Sequence, residues 1–147
     1  MEAKPEENAP RRRTTVLLVE DNPTDVFVIK DVLKEYGLDL QLSVATDGEE
    51  AVRYLQKIET DESSPCPALV LLDLNLPRIA GVDVLRKLRS EPRCHRTPVI
   101  VVSSSIADSD RRNSENLGVE AYFQKPGDLD AYGELARIIK DILGFSH

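Results

Sequence analysis

The sequence predicts an α/β domain built on a five-stranded parallel sheet, doubly wound with helices on both faces, and two observations carry that expectation. Short apolar runs at 16–19, 40–45, 69–72, 99–102 and 121–123 alternate with amphipathic segments along the 147 residues, the pattern of strands joined by crossover helices. Three of those runs are apolar without a break, as strands covered on both faces are. The length suits one domain with one proper core.

The elements follow in order. Leu40-Gln41-Leu42-Ser43-Val44 alternates, which fits an edge strand with one less buried face. Asn22 offers an N-cap ahead of Pro23 at the first helical position. Val26, Ile29, Leu33 and Tyr36 then recur at helical spacing until Gly37 stops the run. Ala51, Val52, Leu55 and Ile58 mark a second helix, and Val82, Leu85 and Leu88 a third. Residues 109–117 are almost wholly polar, so periodicity supports a helix there least. Leu129, Tyr132, Leu135, Ile138, Ile139 and Ile142 form the clearest stripe, in the last helix. Right-handed crossovers place every strand's carboxyl end on one edge of the sheet. In the doubly wound order 2-1-3-4-5, ligands sit outside those ends, where the winding reverses.

Composition narrows the function classes. A formal net charge of -7 argues against direct DNA binding, which needs clustered Lys and Arg on one face. No stretch approaches the ~20 apolar residues of a membrane span, and the first apolar run is too short for a signal peptide, so a cytoplasmic protein is expected. Residues 1–13 hold Pro5, Pro10, several acids and Arg11-Arg12-Arg13 with nothing to bury, and read as a disordered tail. Cys66 and Cys94 fall in no CxxC or Cys/His metal spacing, so free thiols of a reducing cytosol are expected.

The strand ends hold the chemistry. Glu20-Asp21 follows the first strand, Asp73 the third, Ser103 the fourth, and Lys125 the fifth. Three carboxylates so close repel one another and would hold protons unless a cation joins them. All-oxygen ligands favour a hard ion, and Mg2+ typically recruits one or two carboxylates plus a phosphate. Beside such an ion Asp73 is a candidate nucleophile that accepts a phosphoryl group. Ser103 and Lys125 are of the types that steady its remaining oxygens. Each residue alone has a plainer account. The acids after the first strand, Asp25 included, suit helix capping. Asp73 suits a turn ahead of Pro77, Ser103 a cap, and Lys125 a solvated surface charge. Their joint placement at successive strand ends is the signal.

From about residue 14 to residue 143 the chain resembles the receiver domain of two-component response regulators. The resemblance lies in Val16-Leu17-Leu18-Val19-Glu20-Asp21-Asn22, in Leu71-Leu72-Asp73-Leu74-Asn75-Leu76-Pro77 with Gly81, in Pro98-Val99-Ile100-Val101-Val102-Ser103, and in Tyr122-Phe123-Gln124-Lys125-Pro126. It implies a receiver domain over 14–147, with Asp73 as phosphorylation site and Mg2+ bound by Glu20, Asp21, Asp73 and the backbone carbonyl of Asn75. It also implies Ser103 against the phosphoryl group, Lys125 in an ion pair with it, Tyr122 as the aromatic switch, and a cis Lys125–Pro126 bond. Glu20 stands where Asp is more frequent, Ser104 where Ala or Thr is, and Gly127 where Phe is; Arg111 and Arg112 occupy positions that are often apolar. The connector at 59–67 is longer than in minimal receivers, and the chain looks like the small stand-alone regulators that partner phytochrome-type kinases.

The implied partners are a sensor histidine kinase and a downstream protein or phosphotransfer protein. The chain stops soon after its last helix, so no output domain is expected. A homodimer through the fourth helix, fifth strand and last helix is a further expectation. An aspartyl-nucleophile phosphatase would have a second Asp two positions on, where this chain has Asn75. A degenerate receiver would lack the acids or the lysine. Nucleotide binding has no GxGxxG or GxxxxGK[ST] to support it.

Overall fold

A computed structural model describes residues 14–145; the expected tail at 1–13 lies outside the described residues. The strands are β1 (Thr14–Val19), β2 (Leu40–Ala45), β3 (Leu69–Leu72), β4 (Val99–Ser103) and β5 (Ala121–Gln124). The helices are α1 (Pro23–Glu35), α2 (Gly48–Thr60), α3 (Gly81–Ser90), α4 (Asp108–Asn116) and α5 (Gly133–Leu143), with a 3-10 turn at Leu129–Tyr132. All pairings are parallel and the order is β2-β1-β3-β4-β5, as the alternation predicts.

Successive side chains of a strand point to opposite faces, so the unbroken apolar runs feed two cores. Val16, Leu18, Leu69, Leu71, Ile100 and Val102 pack with Ile29 and Leu33 of α1 and with Leu135 and Ile139 of α5. Leu17, Val19, Val70, Leu72, Val99 and Val101 pack with Ala51 and Leu55 of α2 and with Leu85 and Leu88 of α3. Each Val, Leu or Ile among them removed from water contributes about 1.5–3 kcal/mol. The two layers thereby pin β1, β3 and β4 side by side; β1 and β3 lead directly into Glu20 and Asp73, and β4 ends at Ser103.

Local chemistry sets the helix ends. Asn22 Oδ1 accepts from the backbone N–H groups of Thr24 and Asp25, satisfying donors that have no partner within the helix. Asp47 does the same for Glu50 at the start of α2. The polar segment after β4 does form a helix. Ser114 is its one buried residue, and its hydroxyl donates to the Asp110 carbonyl at 2.8 Å.

Three expectations are corrected. The last apolar stripe is interrupted, because 129–132 winds as a 3-10 turn. At about 120° per residue rather than 100° it shifts Leu129 out of phase, leaving it 66% exposed while Tyr132 is buried. Cys66 and Cys94 are not free thiols but a disulfide with Cα atoms 5.7 Å apart. Cys66 precedes β3 and Cys94 precedes β4, and the two strands are neighbours, which brings the cysteines together at one sheet edge. No cis peptide occurs among the described residues, so Lys125–Pro126 is trans, the form that X–Pro bonds favour by roughly 0.5–1 kcal/mol.

Candidate functional site

The carboxyl ends of β1, β3 and β5 deliver the charged groups to one crevice. The Glu20 N–H donates to the Ala45 carbonyl and the Asp73 N–H to the Val19 carbonyl, each at 3.0 Å, so ladder bonds continue into the residues that carry the acids. Glu20, Asp21 and Asp73 each present a carboxylate oxygen within 4.8 Å of the others. Glu20 and Asp73 are buried, whereas Asp21 is exposed.

Lys125 closes the group. Its Nζ lies 2.8 Å from Glu20 Oε1, 2.8 Å from Asp25 Oδ2 and 3.1 Å from Asp73 Oδ2. The other Asp73 oxygen accepts from the Asn75 N–H at 3.1 Å. Burial is the largest influence on Glu20 and pushes its carboxyl up to about 7. The Lys125 hydrogen bond opposes that rise and the Asp73 charge adds to it. Burial also pulls Lys125 down, but hydrogen bonds to Asp25 and Glu20 and the nearby Asp73 charge outweigh it and hold its pKa above the usual lysine value. Lys125 is therefore a fixed ammonium.

Ser103 joins through the backbone. It is fully buried at the end of β4, and its carbonyl accepts from the Lys125 N–H at 2.9 Å. Its hydroxyl accepts from the Ser105 N–H at 3.2 Å. Tyr122 stands apart from the carboxylates: its hydroxyl donates to the Ser105 carbonyl at 3.0 Å, and Arg111 Cζ lies 4.4 Å above its ring. Ser105 Oγ donates in turn to Asp110 Oδ2. A polar chain thus runs from Ser103 through Ser105 to α4 and Tyr122.

Asp25 is the site residue that sequence reasoning missed. Its position suits a capping acid, but Asn22 takes the cap and Asp25 reaches the lysine. Its place in the first turn above the β1 acids was the available signal. Gly81, already part of the motif, has a structural role that the sequence does not state. A Cβ there would lie 2.3 Å from the Asp73 carbonyl oxygen, so α3 rests directly on the backbone that carries the central acid.

The donor set fits a hard divalent cation. An octahedral ion with bonds of about 2.1 Å holds its ligands about 3–4 Å apart, and the three carboxylates bring oxygen donors alone within 4.8 Å of one another. Four acids, Glu20, Asp21, Asp25 and Asp73, face one ammonium, an imbalance that a second cation relieves.

Comparison with known proteins agrees with the geometry. The response regulator receiver domain family matches residues 16–137. The response regulator Rcp1 of Synechocystis sp. is 36% identical over 140 residues, covering 95% of this chain and 91% of that protein. The crystal structure of the phosphorylated cyanobacterial phytochrome response regulator RcpA superposes with a TM-score of 0.78 at 33% identity, covering 88% of this chain and 93% of that one. The Mn2+-bound form of Rcp1 superposes with a TM-score of 0.76 at 35% identity, covering 87% and 92%. With its strand order, its acid cluster and these relatives in agreement, the chain belongs to the response regulator receiver domain family.

Proposed function

We propose that the chain is a signalling switch whose Asp73 accepts a phosphoryl group from the phosphohistidine of a sensor histidine kinase. The observation that carries this reading is the buried Asp73 carboxylate with Lys125 Nζ at 3.1 Å and two further acids within 4.8 Å. An Asp73 oxygen attacks phosphorus in line, the P–N bond to the donor imidazole breaks, and an acyl phosphate forms. Lys125 leaves its carboxylate partners in part to pair with the incoming phosphoryl oxygens, and the Ser103 hydroxyl donates to another. Glu20, Asp21, Asp73 and the Asn75 carbonyl would hold Mg2+, which when bound neutralises charge on the acceptor and phosphoryl oxygens.

The Asn75 side chain is a carboxamide and cannot serve as the acid/base of a phosphatase. The chain therefore carries out only its own phosphotransfer and the hydrolysis that resets it. Phosphorylation adds about two negative charges. Recruitment of Ser103 withdraws its hydroxyl from the Ser105 N–H, and the chain of contacts to Asp110 and Tyr122 reorganises. Tyr122 turns inward, and the face formed by α4, β5 and α5 changes in a shift between two populations. That face is the contact for a downstream protein, a phosphotransfer protein or a second copy of the chain. The likeness to Rcp1 and RcpA, the latter a phytochrome response regulator by name, favours a kinase of phytochrome type. Among the described residues no helix is long and apolar enough to cross a membrane, which accords with a cytoplasmic protein.

Intact mass spectrometry after incubation with acetyl phosphate and Mg2+ tests the chemistry. One labile phosphoryl group is expected, absent in Asp73→Asn and in the presence of a chelator. No adduct under rapid quenching would leave a phosphorylation-independent interaction module. Sedimentation with and without the phosphodonor tests self-association; monomers in both states at high concentration would exclude the homodimer.

A further inference from the structure

Away from the carboxylates, at the opposite edge of the sheet, one ordered construction has no part in phosphotransfer. The connector at 61–68, between α2 and β3, is fastened to the turn that follows α3. Arg93 Nη1 donates to the Ile58 carbonyl at 2.7 Å and to the Asp61 carbonyl at 3.2 Å. Its Nη2 donates to the Glu62 carbonyl at 3.2 Å and to the Ser64 carbonyl at 2.7 Å. Asp61 also accepts from the Ser63 N–H and hydroxyl. The next residue after Arg93 is Cys94, bonded to Cys66 at the far end of the same connector.

The turn that bears Cys94 is rigid. The Cys94 N–H donates to the Glu91 carbonyl, and the Thr97 N–H to the Cys94 carbonyl. The buried Glu91 carboxylate accepts from the Arg93 N–H at 2.6 Å, and Arg89 Nη1 donates to the carbonyls of His95 and Thr97. One sulfur is thus fixed on a braced turn, while the other is brought to it by a connector that Arg93 has already seated. The bond is not needed to make up for a missing core, as disulfides of small secreted domains are, because both faces of the sheet are fully packed. The two sulfurs also differ in access: Cys94 is 1% exposed, whereas Cys66 is only half-buried.

We propose that Cys66 and Cys94 form a reversible dithiol–disulfide site that exchanges with external thiols at Cys66 and sets how firmly the 61–68 connector is held, with Arg93 as its positioning residue. In reduction, an external thiolate attacks Cys66 Sγ, the S–S bond breaks, and Cys94 leaves as a thiolate that takes up a proton. A second external thiol then displaces the mixed disulfide, so that two thiols of the reductant become one disulfide. Oxidation by a disulfide of the glutathione class runs the same steps in reverse. By seating the connector, Arg93 raises the effective concentration of one thiol at the other. The site is independent of phosphotransfer at Asp73 and stands or falls separately from it.

The test equilibrates the full chain with glutathione buffers of graded ratio, quenches exchange with acid, alkylates free thiols after unfolding, and counts labels by intact mass. The expected result is a single two-electron transition between zero and two labels. Arg93→Lys, which cannot keep the planar fork, should shift the midpoint roughly tenfold toward the dithiol. On reduction, amide exchange should quicken in 61–68 and remain unchanged around Glu20 and Asp73. Tm should fall by roughly 10 °C through the loss of loop closure. Three results would overturn the proposal: two labels at every glutathione ratio, no label at any ratio, or a midpoint unmoved in Arg93→Lys.

Discussion

Asp25 Oδ2 and Lys125 Nζ meet at 2.8 Å although 100 residues of chain separate them. The contact ties the first turn of α1 to the end of β5 and makes the lysine the hub of a site assembled from both ends of the domain. Removing the hub should differ from removing one spoke. In metal-free protein at pH 8, Lys125→Met leaves the buried Glu20 and Asp73 carboxylates facing each other, at an expected cost of about 3 kcal/mol. Asp25→Asn also removes a like charge and should cost less than about 1 kcal/mol. Urea unfolding of both variants checks this, and equal losses would contradict the hub.

Glu20 predicts an unusual pH profile. Its folded pKa, raised to about 7 from an ordinary 4.5, means that the folded state holds this proton more tightly than the unfolded state does. The stability it contributes is complete below pH 4.5 and is lost as pH rises through 7, a loss on the order of 3 kcal/mol. The raised Lys125 pKa acts above pH 10.5 and leaves this window untouched. Relative to Glu20→Gln, metal-free protein should therefore weaken between pH 5 and pH 8. Mg2+ competes with the same proton, so its addition should raise Tm more at pH 8 than at pH 6. An equal rise at both would refute the assignment.

Arg78 holds φ 72°, a left-handed backbone that costs a non-glycine residue about 1 kcal/mol or more. Its ion pair with Asp47, at 3.3 Å and with the guanidinium largely in water, returns little of that. Arg78→Gly should raise Tm by about 2 °C. Gly48, at the start of α2 and packed against the loop that holds Arg78, is the opposite case. A Cβ there would lie 2.1 Å from the Ile79 carbonyl oxygen, so Gly48→Ala must displace backbone and should cost at least about 2 kcal/mol. Calorimetry of the two variants should give shifts of opposite sign.

The fold was legible wherever burial wrote a pattern. Val16, Leu69 and Val99 open runs that are buried on both faces, so their sequences are apolar without a break and read as central strands. The helix at Asp108–Asn116 left almost no such mark, because it buries only Ser114 and is held by polar contacts. At the site, Glu20, Asp21, Asp73 and Lys125 could be read because each follows an apolar run. Asp25 left only a weaker mark, its place in the first turn above the β1 acids, since its role depends on a side chain reaching across to a distant strand. The Cys66–Cys94 pairing has no local spacing signature. The strand order held the clue, because each cysteine leads into one of two adjacent strands.

The packing around Tyr122 gives the molecule a built-in optical label. The chain has four tyrosines and no tryptophan, so no indole masks or drains phenol emission. Among the described residues only Tyr122 combines a guanidinium over its ring with a hydroxyl bound to the Ser105 carbonyl, an arrangement that should dim its fluorescence. Phosphoryl capture at Asp73 that turns the ring inward would then be visible as a brightness change in unlabelled protein, in real time and without a coupled assay. Tyr122→Phe should abolish the change and leave the mass adduct intact. An emission spectrum that stays constant while the adduct forms would mean that the ring does not move.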